Sequence, residues 1–226
     1  MRRWLRSRRT WLIIGALVIG AMIAGYPAIQ AQRQRAAIKR IERVGGDFSR
    51  RARGPVWLRE WTPIKLGSSP GDAVFFPDAE IANEDFARIV DDLNLVNEEI
   101  TTLDLSRSDI GDEGVRELYR LEHLVYLDLS STGVTDEGLA SVAQIEGLQY
   151  LFLAETAVTD AGLAHLRPLR QLIVLNLDHT AVTDAGMDEL SHLEQLAQLH
   201  VSNTGVTDTG LATLQATAPQ VSVLDD

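Results

Sequence analysis

From Ile100 onward the apolar positions return on a fixed step. The pair Leu103/Leu105 recurs as Leu127/Leu129, Leu151/Leu153, Leu175/Leu177 and Leu199/Val201, each 24 residues after the last. Within a copy two periods follow one another. Leu151 and Leu153 alternate, the period of a half-buried strand, whereas Leu163, Leu166 and Leu169 sit three apart, as on one face of a helical segment. Between them runs a Val-Thr-Asp-x-Gly phrase at Val134, Val158, Val182 and Val206, looser in the first copy at Ile110, Gly111, Asp112 and Gly114. Each copy is therefore predicted as strand, turn, short helix and return. No copy can bury both of its faces alone, but stacked copies share one core, with roughly six inward apolar side chains per copy, each worth about 1.5 to 3 kcal/mol. A repeat of roughly 20 to 50 residues marks a solenoid or array.

A degenerate copy precedes these five. Val74 and Phe76 stand at strand positions, Ile81 matches Ile110, Phe86 and Ile89 match Val115 and Leu118, and Asn83 falls where later repeats have Asp. The offset is 29 residues, which makes 93–97 a small insertion. Residues 54–99 are thus expected to form an N-terminal cap, with Trp57 and Trp61 closing the open end of the array. At the other end Val221 and Val223 begin one more strand, whose free edge is either blunted by Asp225 and Asp226 or used for contact with another chain.

The phrase Leu-x-x-Leu-x-Leu-x-x-Thr-x-Val-Thr-Asp-x-Gly-Leu-x-x-Leu-x-x-Leu resembles a leucine-rich repeat, with Thr132, Thr156, Thr180 and Thr204 where many members carry Asn or Cys. The resemblance implies an α/β solenoid with a curved parallel sheet on its concave side and short helices on its convex side, and usually a protein-binding role. Residues 100–226 are assigned to these repeats.

Charge divides the chain. Residues 1–53 hold 13 Lys/Arg against 2 Asp/Glu, a net of +11, and residues 54–226 hold 8 against 30, a net of −22. An acidic body argues against nucleic-acid binding, because phosphate contacts need Lys and Arg. Five arginines fall in the tail 1–10, and the 19 positions 11–29 carry no charge, close to the length that spans a bilayer, with Trp11 and Tyr26 where interfacial aromatics belong. The span is read as a single-pass signal anchor contacting the lipid bilayer. A cleaved signal peptide is the rival, but its best site, after Ala31, puts Ile29 where a small residue is needed. The denser upstream arginine cluster places the solenoid on the extracytoplasmic side. Residues 30–53 form a basic juxtamembrane helix and linker. The helix is predicted over 32–44, stopped by Gly45-Gly46, and is either a surface-lying lipid helix or a solvated stalk. This layout of basic start, span, basic helix, Gly-Gly and repeats resembles membrane-anchored leucine-rich repeat proteins of planctomycete bacteria.

The polar ladders are read as structural. Asp112, Asp136, Asp160, Asp184 and Asp208 each precede a helical segment, where a carboxylate accepts from free N–H groups; calcium needs several carboxylates in one turn, and each turn offers one. The Thr132 to Thr204 ladder is expected to bond the backbone of the adjacent coil. With no cysteine, no phosphate loop and no hydrolase or zinc-protease phrase, the sequence predicts no enzyme and no cofactor. His179 and His200 beside Asp178 lack a third ligand or nucleophile at a motif spacing, so no metal is assigned.

Function is expected on the strand residues that flank the leucines. One row runs Thr102, Tyr126, Tyr150, Val174, Gln198 and the next Asp104, Asp128, Phe152, Asn176, His200. Beyond them run Ser106, Ser130, Ala154, Asp178, Ser202 and Arg107, Ser131, Glu155, His179, Asn203. Tyr126, Tyr150 and Phe152 are predicted to form an exposed aromatic cluster anchoring a protein partner, with Asp128, Asn176 and His200 as polar contacts. The alternative is a structural envelope or assembly protein that self-associates through its anchor or C-terminal edge strand.

Overall fold

The computed structural model of the chain describes residues 29–49, 72–76, 79, 81, 83–96 and 100–224. The basic tail 1–10, all of the expected span but Ile29, and the pair Trp57/Trp61 lie outside these residues. No helix among the described residues is long and apolar enough to cross a membrane.

The 24-residue step becomes a sheet with a constant register. Eight strands lie in sequence order: β1 (Asp47–Ser49), β2 (Asp72–Phe75), β3 (Ile100–Asp104), β4 (Tyr126–Asp128), β5 (Tyr150–Phe152), β6 (Val174–Asn176), β7 (Gln198–His200) and β8 (Ser222–Leu224). The seven from β2 to β8 are parallel, and β1 joins the first edge antiparallel to β2. Leu127 opposes Leu151, which opposes Leu175, which opposes Leu199. The degenerate copy takes its expected place, with Val74 opposite Leu103. Its insertion extends the helix Asn83–Val96 to 14 residues and buries Leu93 and Val96.

Between strands the chain runs through short helices: Asp112–Val115, Asp136–Val142, Asp160–Leu163, Asp184–Leu190 and Asp208–Thr217. Their inward residues and the strand leucines form one continuous core from Ala37 to Val221. Strand alternation sends Leu127 and Leu129 into it and turns Tyr126 and Asp128 to the other face of the sheet. That other face carries the residues expected from sequence to contact a partner.

Within the described residues the basic helix runs over 29–43 and ends at Gly45, whose φ of +87° is the left-handed stop that glycine allows. It is neither a free stalk nor a wholly exposed surface helix. Ala37 and Ile41 are fully buried in the solenoid core, Ile38 and Val44 pack partly against it, and Arg40 forms a two-pronged ion pair with Asp92. An array's first repeat has one naked apolar face, and this helix covers part of it.

Candidate functional site

The rows read from sequence are brought together by strand pairing. Thr102, Tyr126, Tyr150, Val174 and Gln198 stand opposite one another across β3 to β7, and so do Asp104, Asp128, Phe152, Asn176 and His200. Tyr126 is the hub, with its ring centroid 5.2 Å from Phe152 and 6.4 Å from Tyr150. These rings and Val174 make a second apolar cluster, with Val125 and Ile173 packed against it.

The expected exposure of this cluster is overturned. Tyr126 is 0%, Tyr150 1% and Phe152 5% exposed, and Asp128 and His200 are buried as well; of the six residues only Asn176 remains partly open. Alternation tells which face of the sheet a side chain points to, but not whether that face is covered. Rings of this size, set against one another in register, bury most of their surface in mutual contact.

The polar members are tied to the scaffold. At the ends of β3, β4 and β6 a carboxylate or amide folds back on the backbone two residues on: Asp104 Oδ1 accepts from the Ser106 N–H at 2.9 Å, Asp128 Oδ1 from Ser130 at 2.9 Å and Asn176 Oδ1 from Asp178 at 2.8 Å. Asp178 Oδ1 reaches the next coil and accepts from the Ser202 N–H at 2.7 Å. Burial, and then the neighbouring Asp104 carboxylate, push the Asp128 carboxyl up to about 6. Burial first, and then the Asp128 and Asp104 charges, raise the Tyr126 phenol. Tyr126 therefore stays a neutral donor, and its hydroxyl sits 3.3 Å from Asp128 Oδ2.

The open positions lie one step beyond the strands. Arg107, Ser131, Glu155, His179 and Asn203 all have φ between 55° and 58°, the left-handed region that non-glycine residues rarely enter. Their N–H groups continue the inter-coil ladder, as in Glu155 N–H to Asp178 O at 2.9 Å and His179 N–H to Ser202 O at 2.8 Å. The sequence showed these positions as variable in type and hid their backbone conformation, because only His179 and Asn203 are of types enriched in that region. Four of the five are exposed and Ser131 is half-buried. They form a rigid rim whose chemistry changes at every step.

Two structural ladders differ from expectation. The caps of the helices are Thr135, Thr159, Thr183 and Thr207, each accepting from the N–H two residues on at 3.2–3.3 Å. The aspartates instead cross to the next repeat: Asp112, Asp136, Asp160 and Asp184 each take the N–H and hydroxyl of the following Thr. Asn83 does the same for the Gly111 N–H at 2.9 Å, so the degenerate copy is joined by the same device. The Thr132, Thr156, Thr180 and Thr204 hydroxyls donate to the carbonyl three residues back in their own coil at 2.6–2.7 Å, not to the adjacent coil. Among the described residues no three His, Asp or Glu side chains meet in a way that would hold a metal ion.

The family described as Leucine Rich repeat matches residues 96–118 and 120–143. Among solved structures the chain is similar to an internalin, inlF, from Listeria monocytogenes, with 20% identity and a TM-score of 0.51 over 66% of this chain and 38% of that one. It is likewise similar to TLR13, solved in complex with ssRNA13, with 23% identity and a TM-score of 0.52 over 68% of this chain and 21% of that one. At these identities the likeness is one of fold, and the chain spans well under half the length of either protein. No curated protein matches the sequence. The fold is a leucine-rich-repeat solenoid, and the family match lies within residues 96–143, away from the N-terminal layout.

Proposed function

We propose that this protein is a non-catalytic, membrane-anchored module that binds another protein through the sheet face of its solenoid. The observation that carries the reading is the constant register of β3 to β7. It holds side chains of changing chemistry at fixed spacing on a face that the repeat core does not need. A rigid surface of this kind loses little conformational freedom on binding. Burial changes the part assigned to the aromatics. Tyr126, Tyr150 and Phe152, with Asp128 and His200, are the floor that sets the shape, while Asn176 and the exposed rim residues Arg107, Glu155 and His179 meet the partner. Anchoring rests on the uncharged stretch 11–29, and the extracytoplasmic placement on the arginines before it. The net charge of −22 over residues 54–226 supports a protein ligand over a nucleic acid, although TLR13 shares the fold.

Photo-crosslinking tests this. A benzophenone amino acid is placed at Asn176 or Glu155 on the sheet side, and at Glu113 or Ala161 on the helix side, of the full chain in its native membrane. One adduct formed from the sheet-side positions only supports the reading, and adducts from the helix side only would sink it.

A second reading has its own observation. β8 is the last strand of the sheet, and Leu224 on it is 39% exposed. Self-association of an envelope or assembly protein through this edge or the anchor would give adducts with the mass of two copies. It would also give a size that falls on dilution and on placing a charge at Val223.

A further inference from the structure

The docked helix 29–43 presents a second surface. Burial of Ala37 and Ile41, together with the Arg40–Asp92 pair, fixes its rotation. The opposite side then carries Arg35, Lys39 and Arg43, spaced four residues apart in one line along the axis, with Arg33 on the flank, and all four are exposed. None of the four forms an ion pair with another described residue, and the one acidic residue in the helix is Glu42. Four unneutralised cations on one helix of a body that is otherwise acidic are a charge pattern for which the solenoid core has no use.

We infer that this cationic face of helix 29–43 docks on the anionic headgroups of a lipid bilayer and so fixes the tilt of the solenoid over the membrane. The inference rests in part on the anchor reading. In sequence the described part of the helix follows directly on the uncharged stretch 11–29, so on the anchor reading its first described turns lie within a few residues of the headgroup layer, at the depth where arginine and lysine are attracted to anionic lipid. Because the helix is packed into the solenoid and does not swing from it, contact at this face holds the sheet face at a set angle. An acidic surface on a second copy is the competing occupant, but nothing positions one beside the helix as the preceding span positions lipid.

The chain contains no cysteine, so Ala36→Cys gives a single labelling site on the exposed side. The full chain carrying a nitroxide there is reconstituted into nanodiscs of phosphatidylcholine alone, or with about one quarter phosphatidylglycerol. Access of a water-soluble relaxation agent is expected to drop in the anionic discs, to return at about 0.5 M salt, and not to drop in the R35Q/K39Q/R43Q variant. These substitutions are solvent-facing, so unchanged thermal unfolding verifies the fold. Equal access in both lipids, or a drop that the triple variant keeps, overturns the inference. Protection in neutral discs that grows with protein concentration overturns it in favour of a second copy. A chain that fails to enter neutral discs defeats the anchor reading separately. In that case salt-sensitive flotation with anionic vesicles, about 100-fold weaker in the triple variant, still supports the docking face, and no flotation ends it.

Discussion

Asp136 belongs to one repeat and does its work in the next: its Oδ1 accepts from the Thr159 N–H at 2.8 Å and its Oδ2 from the Thr159 hydroxyl at 2.7 Å. Thr159 is in turn the cap of the following helix, accepting from the Ala161 N–H. One carboxylate therefore sets the start of its neighbour's helix, and the solenoid is joined along its length by copies of this link. Stability in such arrays is a sum of repeat and nearest-neighbour terms, and this pair is a nearest-neighbour term that substitution can isolate.

Asp136→Ala is expected to cost about 2 kcal/mol, since it removes two hydrogen bonds to a charged acceptor and leaves the Thr159 N–H without its partner. Asp208 occupies the same place in the last copy, is exposed, and makes no such bond among the described residues. Asp208→Ala should therefore stay within about 0.5 kcal/mol of the parent. Guanidinium unfolding of both variants measures the difference, and equal losses would refute the inter-repeat role.

The same link explains a glycine. A Cβ on Gly162 would lie 2.3 Å from Asp136 Oδ1. Although alanine favours a helix by about 1 kcal/mol, Gly162→Ala should destabilise the protein by roughly 1–3 kcal/mol. Gly147→Ala is the control, because its nearest neighbour is the Leu124 carbonyl oxygen at 3.7 Å. The double variant Asp136→Ala/Gly162→Ala should lose less than the sum of the two, a non-additivity that a thermodynamic cycle reads directly.

Glu155 holds φ at +57° without the side chain that suits it. Glu155→Asn should stabilise by about 0.5–1 kcal/mol, as residues compatible with a left-handed backbone do. Glu155→Val should destabilise by about 1–2 kcal/mol, since a branched Cβ is crowded in that region. Thermal unfolding of the pair checks the sign. A stabilising valine would contradict the assigned backbone.

Two carboxyls give opposite pH dependence. Burial raises Asp128 to about 6 in the folded protein, so its contribution is fully present below the unfolded value of about 3.9 and is lost as pH rises through about 6. Asp128→Asn should therefore raise stability by roughly 2 kcal/mol at pH 7.5 and change little near pH 3.5. The hydroxyl and N–H of Thr207 hold Asp184 below the usual carboxylate range. Its contribution is present above about pH 4 and fades as the pH falls through the lowered folded value. Asp184→Asn should flatten the acid limb of the stability curve and leave the neutral limb sloping as before. Denaturation at a series of pH values separates the two.

The local pattern settled a good deal. Period-2 and period-3 spacing of leucines placed the repeat strands and helices, because inside or outside in one coil depends only on residues a few positions away. It also fixed the register, since a slip of one residue would turn Leu151 and Leu153 to the wrong face. The sheet rows, Tyr126 beside Tyr150 and Asp128 beside Phe152, followed from the period alone. Three things depended on contacts between coils and could not be read along the chain. Asp136 points to its neighbour's Thr159 because the next helix start lies within reach of its carboxylate. Tyr126, Tyr150 and Phe152 are buried because packing, not alternation, decides which face of a sheet is covered. The helix 29–43 lies on the solenoid because Ala37 and Ile41 meet an apolar end that exists only once the repeats have stacked. Sequence determined which residues face each other; the tertiary structure decided which of them are left exposed, because exposure depends on everything that folds against a position as well as on the position itself.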